Sequence, residues 1–544
     1  MTPDLDLALV GARVRTLDPD APSATAVGVR DGVIAAVGSD EDVRARCGAA
    51  TEVVELDGAA VVPGLIDSHM HPFMGAINAQ GADLLDAHTL DDVLGALQAE
   101  RAKCQPGEWI QGWGLDYNVF EQTGISSSVI EEAVGGAPAA LTFMDFHTML
   151  ASERALELAG IDGPREFVEH AEIVCVDGRP TGELHERGAM DLLLEAMPPL
   201  TEARRYELCA AHLRALAAVG ITGTHAMDGR LETFDLLREL ESRGDLITRI
   251  LTPFTIEPDT PEEMWERYAA AGGEHGRRWR AGVAKFFIDG VIDSGTGWLV
   301  EPDTEGDGTA SFWPDVDRYR RAVRFFAERG FQCVTHATGD RGVREALDTY
   351  ASVPKPKLGS HRIEHIETIQ PEDLPRFAAE GVVASMQAQH MMWLSQDRSD
   401  NWSRRLGSDR CDRAFMTRSL LESGATIALG SDWPVARYDP REGMAAARLR
   451  RPPLHPERAA YDDQALSGVQ ALEGYTTGAA ATVGEADRRG RIRAGFDADL
   501  TVMAVDPAQA DPDELVSVPV LMTVVDGEVV HRASLTRGGS GAEG

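Results

Sequence analysis

Short runs of aliphatic and β-branched residues alternate along the middle of the chain with longer stretches of helical period. The runs cover residues 61–67, 220–225, 247–254, 282–288, 332–336, 361–365, 382–386 and 426–429. Segments 202–219, 316–329 and 413–423 carry the intervening helical pattern. Mostly apolar runs of this length suit strands covered on both faces, as in a parallel sheet. Eight strand–helix units in succession predict an α/β fold built on a (β/α)8 TIM-like barrel. The gap between the first two runs is too long for a simple connection. Residues from about 77 to 200 therefore read as an insertion after strand one, set over the barrel mouth. The insertion is expected to hold its own helices and a hairpin, residues 173–184, turning at Asp177-Gly178.

The two ends follow a different pattern. Residues 5–60 read as short strands joined by turns, with a hairpin signal at Asp31-Gly32. Residues 498–503 and 518–530 repeat that style, with Asp526-Gly527 as the second signal. Residues 1–60 and 489–535 thus predict one small β-sandwich built from both termini, flanking a barrel of 61–488. The tail 536–544 is low in complexity and is expected to be disordered. Its Gly-x-Gly-x-x-Gly spacing, Gly539 to Gly544, has no adjoining strand or helix and carries no nucleotide-site meaning.

Composition narrows the class. A content of 43% hydrophobic and 26% charged residues fits a soluble globular protein, and the net charge of -36 argues against nucleic acid and anionic membranes as partners. Six cysteines form no Cys-x-x-Cys pair, which argues against a zinc knuckle or a disulfide framework. No basic leader precedes an apolar run, and no run approaches membrane-spanning length, so a cytoplasmic enzyme acting on a small molecule is expected.

The candidate chemistry gathers at the ends of the expected strands, where barrels carry their active sites. His69 and His71 follow strand one two residues apart, on one side of an extended chain. Lys285 lies inside strand four, His336 ends strand five, His365 ends strand six and Asp432 follows strand eight. Imidazole and carboxylate donors suit zinc and similar divalent ions. Lys285 is one of only four lysines among 52 basic residues. Lysine in an apolar strand can lose its proton and take up carbon dioxide as a carbamate, whereas arginine stays protonated.

These residues sit in blocks that resemble the amidohydrolase superfamily, in the branch containing N-substituted formamide deformylases (amidohydrolase family 3). The blocks are Val62 to His71, Lys285 to Gly290, His336 to Asp340, His361 to His365, Gly430 to Val435 and Gly495 to Leu500, in that order. The resemblance implies a binuclear centre of two divalent ions, most simply zinc. His69 and His71 would bind one ion, His336 and His365 the other, and carboxylated Lys285, formed from carbon dioxide or bicarbonate, would bridge them. It implies a bridging hydroxide that attacks a C–N-linked acyl carbon, with Asp432 as ligand and proton shuttle. Less specific contacts are expected from His147, His225, Gln387, His390, Trp113 and Trp298 toward substrate. Asp340 would either orient a metal-bound histidine or cap the helix that follows it. The resemblance is compatible with a homodimer. A hydrolytic deaminase of a heterocycle, with one ion and no bridging lysine, and a non-catalytic assembly protein are the alternatives. Near the substrate loops Ser152-Glu153, Ser294-Gly295-Thr296 and Ala226 depart from the branch's pattern, so the substrate is left open.

Overall fold

The computed structural model describes residues 4–144, 146–167, 171–456 and 462–533. The expected disordered tail, 536–544, lies outside the described residues. The chain forms two compact units. The first comprises residues 1–70, 210–431 and 438–544, and the second residues 71–209 and 432–437.

In the first unit eight parallel strands follow one another around an almost closed barrel. They are β1 Leu65–Met70, β2 Ile221–Ala226, β3 Arg249–Thr255, β4 Trp279–Phe287, β5 Gln332–Ala337, β6 Arg362–His365, β7 Val383–Met386 and β8 Ile427–Leu429. Ser68 Oγ donates to the Leu429 carbonyl at 2.6 Å, bringing the last strand beside the first. The helices pack by amphipathic stripes. Helix Val316–Glu328 buries Tyr319, Ala322, Val323, Phe326 and Ala327, the i, i+3, i+4 spacing of a single face. Its Tyr319 hydroxyl reaches Thr335 of β5 at 2.8 Å.

One expected boundary moves for a physical reason. The apolar run 61–67 is two strands, Ala60–Pro63 and Leu65–Met70. Ala60–Pro63 pairs with Leu500–Met503 of the C-terminal end, and only beyond Gly64 does the chain enter the barrel. A Cβ at Gly64 would stand 2.3 Å from Thr222 Oγ1, so this crossing needs glycine.

The ends supply two further sheets. Val33–Gly38, Ala26–Arg30, Leu7–Val10 and Glu52–Glu55 make one. Glu528–Arg532, Val520–Val525, Leu500–Met503, Ala60–Pro63, Arg13–Arg15 and Ser23–Ala24 make the other. Leu9, Val29, Val61, Leu500 and Val524 share one buried cluster between them. Both expected hairpins turn on left-handed Asp-Gly pairs, Asp31-Gly32 and Asp526-Gly527.

The second unit is built on a six-stranded mixed sheet, ordered Glu172–Val176, Arg179–His185, Thr148–Ala151, Ala139–Phe143, Ile110–Leu115 and Ala82–Asp83. The expected hairpin is its edge, turning at Asp177-Gly178. Leu84, Leu97, Ile110, Phe120 and Leu141 form its core. No described helix of either unit is long and apolar enough to cross a membrane.

Candidate metal centre

Four imidazoles lie close together in the first unit. His365 at the end of β6 has the His336 ring at 4.4 Å, the His69 ring at 4.8 Å and the His390 ring at 5.6 Å, centroid to centroid. His69, His365 and His390 are buried, and His336 is half-buried. His365 and Ile366 hold positive φ values of 71° and 50°, an uncommon conformation that ends the strand abruptly. The buried Gln387 side chain fixes this turn by accepting the His365 N–H at 3.0 Å. Such local strain persists where neighbours over-determine it, and it clusters at functional sites.

The charges under these rings decide which nitrogen of each carries a proton. His69 Nδ1 lies 2.5 Å from Glu364 Oε2. The other Glu364 oxygen pairs with Arg362 Nε at 2.8 Å. Both Arg362 and Glu364 are fully buried on β6. Burial alone would raise the Glu364 pKa, but Arg362 foremost, with the hydrogen bond from His69 and the nearby Lys285, overcomes it and holds Glu364 at about 2. A carboxylate at Nδ1 puts the His69 proton there and leaves the donor lone pair on Nε2. His336 shows the mirrored choice. Its Nε2 lies 2.9 Å from the Gly290 carbonyl, which places the proton on Nε2 and the lone pair on Nδ1. Asp289 Oδ1 stands 3.7 Å from the same nitrogen. Asp289 also accepts the backbone N–H groups of Thr338, Gly339 and Trp298. Burial pushes its carboxyl up to about 7 against those three bonds.

Lys285 is fully buried in β4, with its Nζ 4.9 Å from the Phe287 ring centroid. In the second unit, His71 Nε2 and Asp432 Oδ1 lie 3.2 Å apart, and the His71 N–H donates to the Trp433 carbonyl at 2.8 Å. Asp432 also adopts a left-handed φ, 60°.

The remaining expected residues have these surroundings. His225 on β2 is buried, and its Nδ1 meets Arg362 Nη1 at 3.0 Å. Burial and the Arg362 charge push its pKa well below 6.5, so it is neutral and accepts from Arg362. His390 Nδ1 is 3.6 Å from Glu367 Oε1. Asp340 begins helix Asp340–Ala351 and binds the Val300 N–H and the Gln370 amide. Trp298 is half-buried under Arg341, whose guanidinium is 4.7 Å from the ring. In the second unit, Trp113 packs edge-on against Trp433, and exposed His147 pairs with Glu186. Glu364, Arg362 and Asp289 were absent from the sequence-derived set. A charged pair inside a short, wholly buried strand is the signal that could have found the first two.

The donor set fits divalent ions. Neutral imidazoles with one nitrogen committed to a carboxylate or carbonyl are the usual form of a metal ligand. Glu364→Gln, which keeps the shape and loses the charge, is expected to weaken zinc binding about 10–100-fold. Competition with a chromophoric chelator measures it, and unchanged affinity would mean that Glu364 does not set the His69 tautomer.

A model described as the amidohydrolase family matches residues 52–531. The chain belongs to the amidohydrolase family. Among its relatives in the family, YtcJ of Bacillus subtilis, named an amidohydrolase, is 28% identical over 535 residues, spanning 96% of this chain and 99% of that one. The N-substituted formamide deformylase of Arthrobacter pascens is 27% identical over 556 residues, spanning 97% and 98%. The amidohydrolase fold is shared with an uncharacterized metal-dependent hydrolase from Pyrococcus horikoshii, at a TM-score of 0.71 and 22% identity over 93% of this chain and 99% of that one.

Proposed function

We propose that this amidohydrolase is a metal-dependent hydrolase of a C–N bond in a small molecule, an amide or an N-substituted formamide. The observation that carries the reading is the group of His69, His336 and His365, with the first two held by Glu364 and Gly290 in ligand-competent tautomers. In the proposal, His69, His71, His336, His365 and Asp432, together with Lys285 as a carbamate, would hold two divalent ions. When bound, such ions polarise an acyl carbonyl and acidify water. The Asp432 carboxylate takes the proton of the attacking water as the C–O bond forms. It returns that proton to the leaving nitrogen as the C–N bond breaks, so the products are a carboxylic acid and an amine. Gln387 fixes the His365 backbone, and Arg362 keeps Glu364 ionised against His69.

Full-length protein assayed on a panel of N-acyl and N-formyl amines, with zinc and bicarbonate supplied, tests the proposal. Chelation is expected to abolish turnover, and zinc to restore it. Elemental analysis is expected to find two ions per chain. One tightly bound ion with Lys285 unmodified, together with release of ammonia from a heterocycle, would replace this reading with the deaminase one.

A further inference from the structure

At the N-terminal ends of β3 and β4, and reaching His225 on β2, the first unit holds a cavity of about 220 Å³. Its wall carries six arginines, Arg249, Arg277, Arg278, Arg280, Arg488 and Arg489, and among the described lining residues one carboxylate, Glu485. The acids that pair with these arginines from outside, Asp497, Asp499, Asp526 and Glu528, are not among the lining residues.

The polar atoms left over are all able to donate. Among the described lining residues, Arg489 Nη2, Arg278 Nε, Trp279 Nε1 and Thr224 Oγ1 are buried side-chain atoms without a hydrogen-bond partner. Arg278 retains only a 3.9 Å ion pair from that nitrogen. Each of these four residues is more than nine-tenths buried. Buried donors without acceptors are costly, and no group in this set is an acceptor alone. Two glycines keep the space open. A Cβ at Gly223 would stand 2.8 Å from Arg489 Nη2, and one at Gly276 would stand 2.3 Å from Trp279 Nε1. Burial, and after it Arg489 and Arg488, pulls the Arg280 pKa down despite its pairing with Glu485, while carboxylates hold those of Arg249, Arg277 and Arg488 up.

We propose that this cavity is an anion site for a phosphate group, held by Arg489, Arg278, Trp279 and Thr224 at the end of the barrel opposite the metal centre. Guanidinium forks and neutral N–H and O–H donors match the several acceptor oxygens of a phosphate. The group comes either as free phosphate or on a small phosphomonoester, since the volume admits few attached carbons.

Calorimetry and thermal unfolding of the full-length protein test the site, with inorganic phosphate, glycerol 3-phosphate and, at matched ionic strength, chloride. Saturable binding of phosphate and a rise in Tm of a few degrees near a hundredfold excess over Kd are expected, with no such rise in chloride. Tighter binding of glycerol 3-phosphate would assign the site to an ester, and equal or weaker binding to free phosphate. Arg489→Met is expected to weaken phosphate binding about tenfold or more. Arg489 also pairs with Glu485 and Asp499, so that variant can fail to fold. Thr224→Val keeps those pairs and is expected to weaken binding in the same direction, as is Gly223→Ala, whose added Cβ crowds Arg489 Nη2. Equal stabilisation by chloride and phosphate, or unchanged phosphate affinity in a folded Arg489→Met, Thr224→Val or Gly223→Ala protein, would overturn the proposal.

Discussion

Asp432→Asn is expected to lower kcat by about a thousandfold, within the 10²–10⁴ range of lost general acid–base catalysis, and to change KM by only a few-fold. Asparagine keeps the shape of the side chain and one oxygen that can meet His71 Nε2, now 3.2 Å away. It cannot hold a proton between the attack of water and the departure of nitrogen. The loss should therefore depend on the leaving group. Substrates whose departing nitrogen needs no proton, such as activated anilides, are expected to suffer less than simple alkylamides. Steady-state kinetics on both series measures this, alongside zinc content. A kcat within tenfold of the parent on alkylamides, at full metal content, would remove Asp432 from the proton path. An equal loss on both series would make Asp432 a ligand alone.

The barrel was legible because its strands have few ways to be anything else. Runs such as residues 332–336 and 382–386 are short, apolar and bounded by turn residues, and they became Gln332–Ala337 and Val383–Met386 within a residue or so. Boundaries failed where glycine or proline breaks the signal. β4 starts at Trp279, upstream of Gly282, whose φ of 101° interrupts a strand pattern without ending the strand. The sheet of the second unit was mostly illegible. Ile110–Leu115 reads Ile-Gln-Gly-Trp-Gly-Leu, and only its neighbours Ala139–Phe143 and Ala82–Asp83 make it a strand.

The site divides in the same way. Histidines at the ends of strands announce themselves, because their place in the strand fixes the end of the barrel they occupy. What supports them does not. Arg362 and Glu364 alternate with Ile363 on a strand that is buried on both faces. Their partners, His225 and His69, are 137 and 295 residues away in the chain. Of the residues expected to meet substrate, His225 bonds Arg362 and Gln387 accepts the His365 backbone N–H. Direction within a barrel depends on pleat and on how each strand ends, and the left-handed turn at His365 is invisible to any count of period two.

Lys285→Met and Lys285→Arg are both expected to cut activity by at least about a thousandfold, since residues of one catalytic unit fail together. The two variants separate charge from chemistry. Methionine fills the buried position on β4 without a charge and takes away the cation that helps hold Glu364 ionised. Arginine keeps the positive charge that helps hold Glu364 ionised, yet its guanidinium stays protonated and forms no carbamate. If Lys285 serves by taking up carbon dioxide, the parent protein stripped of metal and carbon dioxide is expected to regain activity only when zinc and bicarbonate are both returned. Neither variant should respond to bicarbonate, and each should bind fewer ions than the parent. Native mass spectrometry would then find an added carbon dioxide on the parent alone. Activity in Lys285→Arg within tenfold of the parent would show that a buried cation suffices. The role of Lys285 would then be to keep Glu364 charged against His69.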